Sequence, residues 1–377
     1  MFAVSLTLVT AAPAWATYSI VACDAVTKDC GAAVQTDNLA VGASVPYAQY
    51  GVGAIASQFE TNPSFGAKGL AMLARAVSAK DVLKTLIADD NGFDGMGPAD
   101  RQVGVVGVSG SGAAYTGTHA LESPWAGSLT GPNYSIQGNG LVGLQVVQAM
   151  QRAFLASPTE PFGDRLLSAL VAGDATGGQS VGRQSAALLV RTRDGFPLDV
   201  DLRVDSSPDP VSDLVGLYNM QLSRQELIDA KHMAGRGQFS KARATMLKAV
   251  ARAPAWPRTL LSAAKVAVAI DEPHLALQYL MLAFSNNRNW AYQEIGSGDY
   301  YLLGSNAQFG ALVPNEVRQA VLSDFERPNQ QPLGSDEALS LAKRLLEVSL
   351  PSQAQLLLMR LPHNGKVDIL LALAYLQ

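Results

Sequence analysis

The first half of the chain alternates short apolar runs with longer runs of helical periodicity. Short runs rich in Val, Ile and Ala, bounded by Gly, Asp or Ser, predict strands at 18–22, 31–35, 51–58, 102–108, 113–118, 134–138, 185–191 and 200–204. Apolar positions three and four residues apart predict two helix pairs, 66–77 with 79–88 and 144–156 with 161–172. Strands that lie between two helix pairs predict an α+β domain in which helices cover both faces of packed sheets.

The second half has a different pattern, which predicts an all-α region. Beyond Leu217 there is almost no β-branched alternation, and Ala, Leu and Met are abundant. Small and aromatic positions recur 34 residues later: Ala230, Ala242, Ala249 and Trp256, then Ala264, Ala276, Ala283 and Trp290. This recurrence resembles the tetratricopeptide repeat (TPR), in which small residues let paired helices approach closely. Because two units do not make a stable solenoid, we expect 335–348 and 352–361 to add helices. An irregular helical bundle is the alternative.

The formal net charge of −4 hides a difference between the two halves. Residues 17–223 carry 12 basic and 19 acidic side chains, a net charge of −7, whereas residues 224–377 carry 16 and 13, a net charge of +3. Neither half is basic enough to indicate binding to nucleic acid. The change of sign supports a boundary near residue 220 and predicts domains at 17–220 and 221–377.

The first sixteen residues have the pattern of a secretory signal peptide. The apolar run 2–9 is too short to span a bilayer, and Ala14-Trp15-Ala16 fits the small-x-small rule for cleavage. Cleavage after Ala16 predicts a periplasmic or secreted protein that begins at Thr17 and has no transmembrane span. The alternative is an uncleaved, membrane-anchored leader, in which case Thr17 has no free α-amine.

The two cysteines, Cys23 and Cys30, flank a short polar stretch between two predicted strands. This arrangement places them near the base of a hairpin, where a disulfide is geometrically feasible. A disulfide also suits an exported protein. The alternative is two small unpaired residues. The spacing rules out a C-x-x-C redox motif.

Several kinds of active site are missing from the sequence. There is neither an HExxH motif nor a Cys/His cluster with metal-ligand spacing, so we expect no metal and no cofactor. Only His119 of the four histidines lies in the first half. The glycine-rich runs 107–111 and 177–182 lack the complete nucleophile-elbow and phosphate-loop motifs, and we interpret both as turns.

This scarcity favours chemistry that needs no histidine. An N-terminal threonine combines a hydroxyl nucleophile with an α-amine base, whose pKa is about 7.7–8.0. Attack by Thr17 on an amide carbonyl also needs donors for the oxyanion. Polar residues near predicted strand ends are the candidates for oxyanion or substrate contacts: Asp37, Gln58, Asn62 and Asn139. Gln58, Asn62 and Asn139 could instead satisfy buried backbone groups.

Many short segments between Thr17 and Tyr218 match, in order, the pattern of one known family. They are Thr17-Tyr18-Ser19-Ile20-Val21-Ala22, Ala40-Val41-Gly42, Val45-Pro46, Gly51-Val52-Gly53-Ala54, Gln58, Asn62-Pro63, Gly66, Arg101-Gln102-Val103, Thr116-Gly117, Trp125, Gln137-Gly138-Asn139, Gln184-Ser185-Ala186-Ala187, Val200-Asp201-Leu202-Arg203-Val204-Asp205 and Asp209-Pro210. Together they resemble domain-of-unknown-function family 1028.

This resemblance implies membership of the N-terminal nucleophile (Ntn) hydrolase superfamily. It implies a four-layer αββα sandwich that hydrolyses amide bonds with Thr17 as nucleophile. Members of the family commonly begin Met-Thr, whereas in this chain a signal peptidase would expose the same residue. The segment Thr118-His119-Ala120 departs from the family pattern. The resemblance gives a reaction class and no substrate.

Two hypotheses about function follow from the sequence. The first is an exported Ntn-type amidohydrolase that acts on a small amide or peptide. The second is a non-catalytic binding or scaffold protein whose helical half docks a protein or peptide partner. Both hold together if the helical half presents a polymer to a catalytic first domain.

Overall fold

The computed structural model of the chain describes residues 16–327 and 333–377. The predicted signal peptide, apart from Ala16, lies outside these residues. The chain separates into two compact units, one ending at Leu217 and the other running from Tyr218 to Gln377. The first unit is mixed α/β with antiparallel sheets, and the second is helical.

The described residues of the first unit form ten strands in two antiparallel sheets. The strands are β1 Thr17–Cys23, β2 Cys30–Thr36, β3 Pro46–Gln49, β4 Gly53–Phe59, β5 Arg101–Gly107, β6 Ala113–Thr116, β7 Gly127–Gly131, β8 Tyr134–Asn139, β9 Ser185–Arg191 and β10 Val200–Val204. One sheet has the order β10-β9-β2-β1-β8-β7, and the other has the order β3-β4-β5-β6. The sequence did not predict β3 and β7, because both are short edge strands with a weak apolar pattern.

Helices cover both sheets of the first unit. The helices of this unit before residue 210 are α1 Ser64–Leu73, α2 Ala79–Ala88, α3 Thr118–Leu121, α4 Gln145–Ala156 and α5 Phe162–Ala175. Helices α1 and α2 pack on the four-stranded sheet, whereas α4 and α5 pack on the six-stranded sheet. The two sheets also contact each other, mainly through β1, β2 and β8 of one sheet and β3, β4 and β5 of the other. Strand β1 therefore lies in the interior of the unit.

The side chains of β1 alternate between two environments. Val21 and Cys23 belong to an apolar cluster that includes Ala54 of the opposing sheet. Tyr18 instead lies close to Gly173 of α5. Because strand side chains alternate between faces, odd-numbered residues of β1 face the other sheet. At the start of the strand these residues are Thr17 and Ser19, so the layer between the sheets changes there from apolar to polar.

A disulfide joins the far end of the β1–β2 hairpin. Cys23 and Cys30 are register partners, and their sulfur atoms are bonded. For so short a loop, the chain-entropy model gives a stabilisation of about 2–3 kcal/mol. The disulfide and Thr17 thus lie at opposite ends of the same strand.

The second unit contains helices that surround one apolar cluster. The helices of the described C-terminal region are α6 Pro210–Gly235, which begins in the first unit, α7 Phe239–Arg252, α8 Pro257–Ala269, α9 Pro273–Asn286, α10 Arg288–Glu294, α11 Ala307–Gly310, α12 Asn315–Glu326, α13 Ser335–Glu347, α14 Pro351–Leu358 and α15 Gly365–Leu376. The alanines of the 34-residue recurrence are all buried in the cluster. Within the described residues, no helix has both the length and the apolar character needed to cross a membrane.

A single carboxylate fixes a loop in this helical unit. Glu347, the last residue of α13, is fully buried. It accepts the N–H of Gly296 at 2.5 Å and the N–H of Tyr300 at 3.1 Å. Burial raises the pKa of Glu347 from 4.5 to about 7, although the backbone donors favour its charged form. The folded chain therefore holds this proton more tightly than the unfolded chain does.

We expect this carboxyl group to make the stability of the helical unit depend on pH. Its contribution is complete below about pH 4.5 and is lost as the pH rises through about 7. Relative to Glu347→Gln, the free energy of unfolding of the wild type should fall by up to about 3 kcal/mol over this interval. Urea unfolding at a series of pH values measures the difference. Glu326→Gln, at an exposed position of α12, is the control. An identical pH dependence in the wild type and Glu347→Gln would contradict the assignment.

Candidate active site

Thr17 lies where three strand ends meet. It is the first residue of β1 and is 5% exposed. Its register partners are Thr36, the last residue of β2, and Asn139, the last residue of β8. Because both neighbouring strands run antiparallel to β1, their C-terminal ends flank its N-terminal end. The fold thus holds Thr17 in rigid strand backbone on both sides.

The hydroxyl of Thr17 is part of a chain of hydrogen bonds. Its Oγ1 lies 3.0 Å from Oγ1 of Thr36. The Thr36 hydroxyl donates to the carbonyl oxygen of Ala16 at 2.8 Å. Since a hydroxyl has one proton, the Thr17 hydroxyl must be the donor in its bond to Thr36. The proton that a nucleophile has to lose is therefore directed at a second hydroxyl.

The backbone nitrogen of Thr17 is held by an amide of fixed orientation. It donates to Oδ1 of Asn139 at 3.2 Å. Asn139 Nδ2 donates to Oε1 of Gln102 at 2.8 Å, and Gln102 Nε2 donates to the carbonyl oxygen of Gly138 at 2.8 Å. A carbonyl oxygen can only accept, so the Gly138 bond fixes both amides and aims an acceptor at the Thr17 nitrogen.

A second buried amide holds the carbonyl side of Thr17. Gln58 Nε2 donates to the Thr17 carbonyl oxygen at 3.3 Å and to Gln102 Oε1 at 2.7 Å. Its Oε1 accepts the hydroxyl of Ser19 at 2.5 Å, and Ser19 Oγ in turn accepts Gln137 Nε2 at 2.6 Å. All of these side chains are buried. The polar layer between the sheets is therefore hydrogen-bonded around Thr17.

Three donors converge on the carbonyl oxygen of the preceding residue, Ala16. They are the Thr36 hydroxyl, the backbone N–H of Asp37 at 3.3 Å and Nε2 of Gln179. Gln35 Nε2 donates to Oε1 of Gln179 at 2.8 Å, which turns the Gln179 amide so that its nitrogen faces Ala16. We call the donors from Thr36, Asp37 and Gln179 the carbonyl site. Like an oxyanion hole, the carbonyl site has several hydrogen-bond donors that converge on one oxygen.

Asp37 contacts Ala16 twice. Besides its backbone N–H, its Oδ1 accepts the N–H of Ala16 at 2.9 Å. Burial raises the pKa of the Asp37 carboxyl above its ordinary value, and the hydrogen bond from Ala16 opposes this shift. The carbonyl oxygen and the backbone nitrogen of Ala16 and the hydroxyl of Thr17 are thus all held by side chains or strand ends.

Three of the four polar candidates from the sequence lie at this place. Asn139 and Gln58 contact Thr17 itself, and Asp37 contacts the residue before it.

Asn62 lies in a different cluster. Its side chain donates to Oδ1 of Asp90 and of Asn91, each at 3.1 Å. Asp90 in turn forms a buried ion pair with Arg101 at 2.8 Å. Asn62 therefore helps to fix the turn after β4, and its contacts do not support the expected oxyanion or substrate role. A short polar side chain after a strand fits either use, so the sequence could not separate them.

Three residues of the site were not predicted from the sequence: Thr36, Gln102 and Gln179. A signal existed for Thr36, which sits beside Asp37 at a predicted strand end, and for Gln102, a polar residue in an apolar strand. Gln179 lies in a glycine-rich run that we interpreted as a turn. Only the fold brings that turn next to β1.

His119, the histidine of the first unit, makes its side-chain hydrogen bond outside the network around Thr17. His119 has a side chain that is 55% exposed and pairs with Asp100 at 2.6 Å, and this hydrogen bond raises the pKa of His119. Across residues 16–327 and 333–377, no group of three or more His, Cys, Asp or Glu side chains is arranged to hold a metal ion. The site around Thr17 is built from hydroxyls, amides and one carboxylate.

Comparison with known proteins identifies the family of the first unit. The model of DUF1028, a family of unknown function, matches residues 17–214. The chain is 33% identical to a solved structure, protein SPO2555 from Silicibacter pomeroyi, which is described as a DUF1028 protein. That match covers 54% of this chain and 88% of the other, with a TM-score of 0.48. No curated protein matches the chain. Since the family model spans more than half of the chain and begins at Thr17, this protein belongs to the DUF1028 family.

Proposed function

We propose that the first unit is an Ntn-type amidohydrolase that uses Thr17 as its nucleophile. The observation that carries this proposal is the set of contacts around the Ala16–Thr17 bond. A hydroxyl, an oriented acceptor for the adjacent nitrogen and three donors on a carbonyl oxygen lie within one site. The layer order of helices, sheet, sheet and helices also supports an Ntn-type sandwich.

The chemistry requires the bond before Thr17 to be broken, so that its nitrogen becomes an α-amine. The predicted signal peptide supplies a reason for that cleavage. A free α-amine is partly unprotonated at neutral pH and can accept the hydroxyl proton, directly or through one water. The disulfide between Cys23 and Cys30 supports an exported protein in an oxidising compartment.

Hydrolysis then proceeds in two steps through an ester. Oγ1 of Thr17 bonds to the carbonyl carbon of the substrate, and the oxygen takes up negative charge in the carbonyl site. The C–N bond breaks, and the proton held by the α-amine passes to the leaving amine. Water attacks the ester in the second step, releases a carboxylic acid and restores the Thr17 hydroxyl.

The helical unit supports a second, separate proposal. The buried alanines at a 34-residue spacing fit a TPR-like stacking of helices, which would provide a surface for a protein or peptide partner. This binding role is compatible with catalysis by the first unit.

We expect a peptide epoxyketone to label the mature protein at Thr17. In this reaction the hydroxyl adds to the ketone and the α-amine opens the epoxide, so the protein gains the whole mass of the probe. Thr17→Ala should abolish labelling because it lacks the hydroxyl, whereas Thr17→Ser should retain part of the rate. Intact mass and fragment mass spectra locate the adduct.

The control for this experiment is the wild-type chain with residues 1–16 retained. It should fold but remain unlabelled, because its Thr17 nitrogen is part of a peptide bond. Circular dichroism verifies that Thr17→Ala is folded. Labelling of Thr17→Ala at an unchanged rate, or a mature protein that begins at another residue, would contradict the proposal.

Asn139→Asp should shift the pH dependence of labelling. A carboxylate beside the α-amine stabilises the ammonium form and raises the pKa of the amine by about one to three units. Because the free amine is the base, labelling should slow at pH 7 and recover at higher pH. Labelling rates from pH 6 to 10 measure the shift. Asn91→Asp adds the same charge at an exposed loop position and should leave the profile unchanged. An unshifted profile in Asn139→Asp would argue against the α-amine as base.

A further inference from the structure

The residue before Thr17 is an acyl group joined to the nitrogen of Thr17, and its position is a guide to where the acyl half of an amide substrate would bind. Ala16 is fully buried. Its carbonyl oxygen lies in the carbonyl site, and its carbonyl carbon is bonded to the nitrogen of Thr17. In the uncleaved chain, Ala16 therefore stands for an acyl group presented to the Thr17 hydroxyl. Its contacts indicate which acyl groups the site can hold.

Asp37 forms hydrogen bonds with two atoms of this acyl group. Its backbone N–H donates to the carbonyl oxygen of Ala16, and its Oδ1 accepts the α-nitrogen N–H at 2.9 Å. The other side-chain donor near Oδ1 is the Thr36 hydroxyl at 3.4 Å, which already donates to Ala16 at 2.8 Å. The α-nitrogen of the acyl group therefore gives Oδ1 a shorter hydrogen bond than the Thr36 hydroxyl does, and the N–H of Asp37 itself also donates to the carboxylate.

The geometry points to a site for amides of small α-amino acyl groups, with Asp37 as the residue that recognises the α-nitrogen. The acyl group is alanyl-sized and carries an N–H on its α-carbon, as Ala16 does. This inference rests on the proposed function, because it names the substrate class of the same site. Asp37 acts here as a specificity-determining residue.

The preference for an α-nitrogen follows from the burial of the carboxylate. A fatty or simple alkanoyl amide has no N–H at this position. Binding it would remove the short hydrogen bond to the half-buried Asp37 oxygen, and the loss of a hydrogen bond to a charged acceptor is costly. We expect discrimination of about tenfold or more in rate against such groups.

The preference for a small side chain follows from the burial of Ala16. Because Ala16 has no exposed surface, a side chain larger than its methyl group would displace the neighbouring atoms. Inserting a leucyl or phenylalanyl side chain into a packed site forces off-rotamer side chains and backbone shifts. These acyl groups should react about tenfold more slowly, or slower still.

The test compares epoxyketones that differ only in the residue bearing the ketone. The mature protein, beginning at Thr17, is treated with an alanyl probe, a leucyl probe and a desamino probe in which a methylene replaces the α-nitrogen. We expect the alanyl probe to label Thr17 about tenfold faster than either of the others. The alanyl probe is made in two forms, one with a free α-amine and one with an acetylated α-nitrogen. Faster labelling by the free amine assigns an N-terminal residue as substrate, and faster labelling by the acetylated form assigns an internal one.

Substitution of Asp37 isolates its role. Asp37→Ala keeps the backbone N–H but removes the carboxylate, so it should lose the advantage of the alanyl over the desamino probe and still label slowly with both. Asp37→Asn keeps an acceptor oxygen and should retain part of that advantage with the acetylated probe. Asp29→Asn is the matched control, since Asp29 is a partly buried aspartate at the disulfide end of the same hairpin.

The outcomes separate this inference from the proposed function. Equal labelling by the alanyl and desamino probes, or an unchanged ratio in Asp37→Ala, overturns the inference while Thr17 remains the nucleophile. Labelling by none of the probes overturns both. A loss of labelling by all probes in Asp37→Ala, with circular dichroism unchanged, assigns Asp37 to the general reaction instead and also contradicts a role in specificity.

Discussion

Amide side chains buried between two sheets can form all their hydrogen bonds only if each donor faces an acceptor along the whole network. This constraint determines how the side chains around Thr17 are arranged. The direction of the hydrogen bonds is set by the backbone carbonyl of Gly138, which can only accept. It passes through Gln102 to Asn139 and presents an acceptor to the Thr17 nitrogen. A reversed amide at any step would leave a buried donor facing a donor, which costs more than the bond itself is worth.

The same layer is apolar at its other end, and the contrast explains how the fold can hold a polar site. Around Val21 and Cys23 the sheets meet through small apolar side chains, and the hairpin is closed by the disulfide. That end supplies hydrophobic stabilisation, which does not depend on the direction of any side chain. The side chains at the polar end can then serve to position Thr17. Strand backbone on both sides of Thr17 holds the hydroxyl more rigidly than a loop would.

The sequence predicted the elements of this arrangement better than it predicted their proximity. A cleavage pattern before a β-prone run predicts Thr17 as a candidate, and polar residues at the ends of apolar strands predict Asn139 and Gln58. Gln179 was missed because its place beside Ala16 is set by the path of the chain after α5. No local pattern contains that information. Asn62 had the same local signal as Asn139, and only its ion-paired neighbours, Asp90 and Arg101, distinguish it. The edge strands β3 and β7 were missed because half-exposed strands lack a strong apolar period.

The burial of Ala16 bears on how this protein should be made in the laboratory. A purification tag fused ahead of Thr17 puts its own final residue at the position of Ala16, next to Thr36, Asp37 and Gln179. Such material would be folded and pure, yet the nitrogen of Thr17 would remain in a peptide bond. A tag placed after Gln377, next to the 83% exposed Leu376, leaves the N-terminal side of Thr17 unextended. Under the proposed mechanism, recombinant samples with N-terminal extensions would therefore be inactive in a screen for hydrolysis.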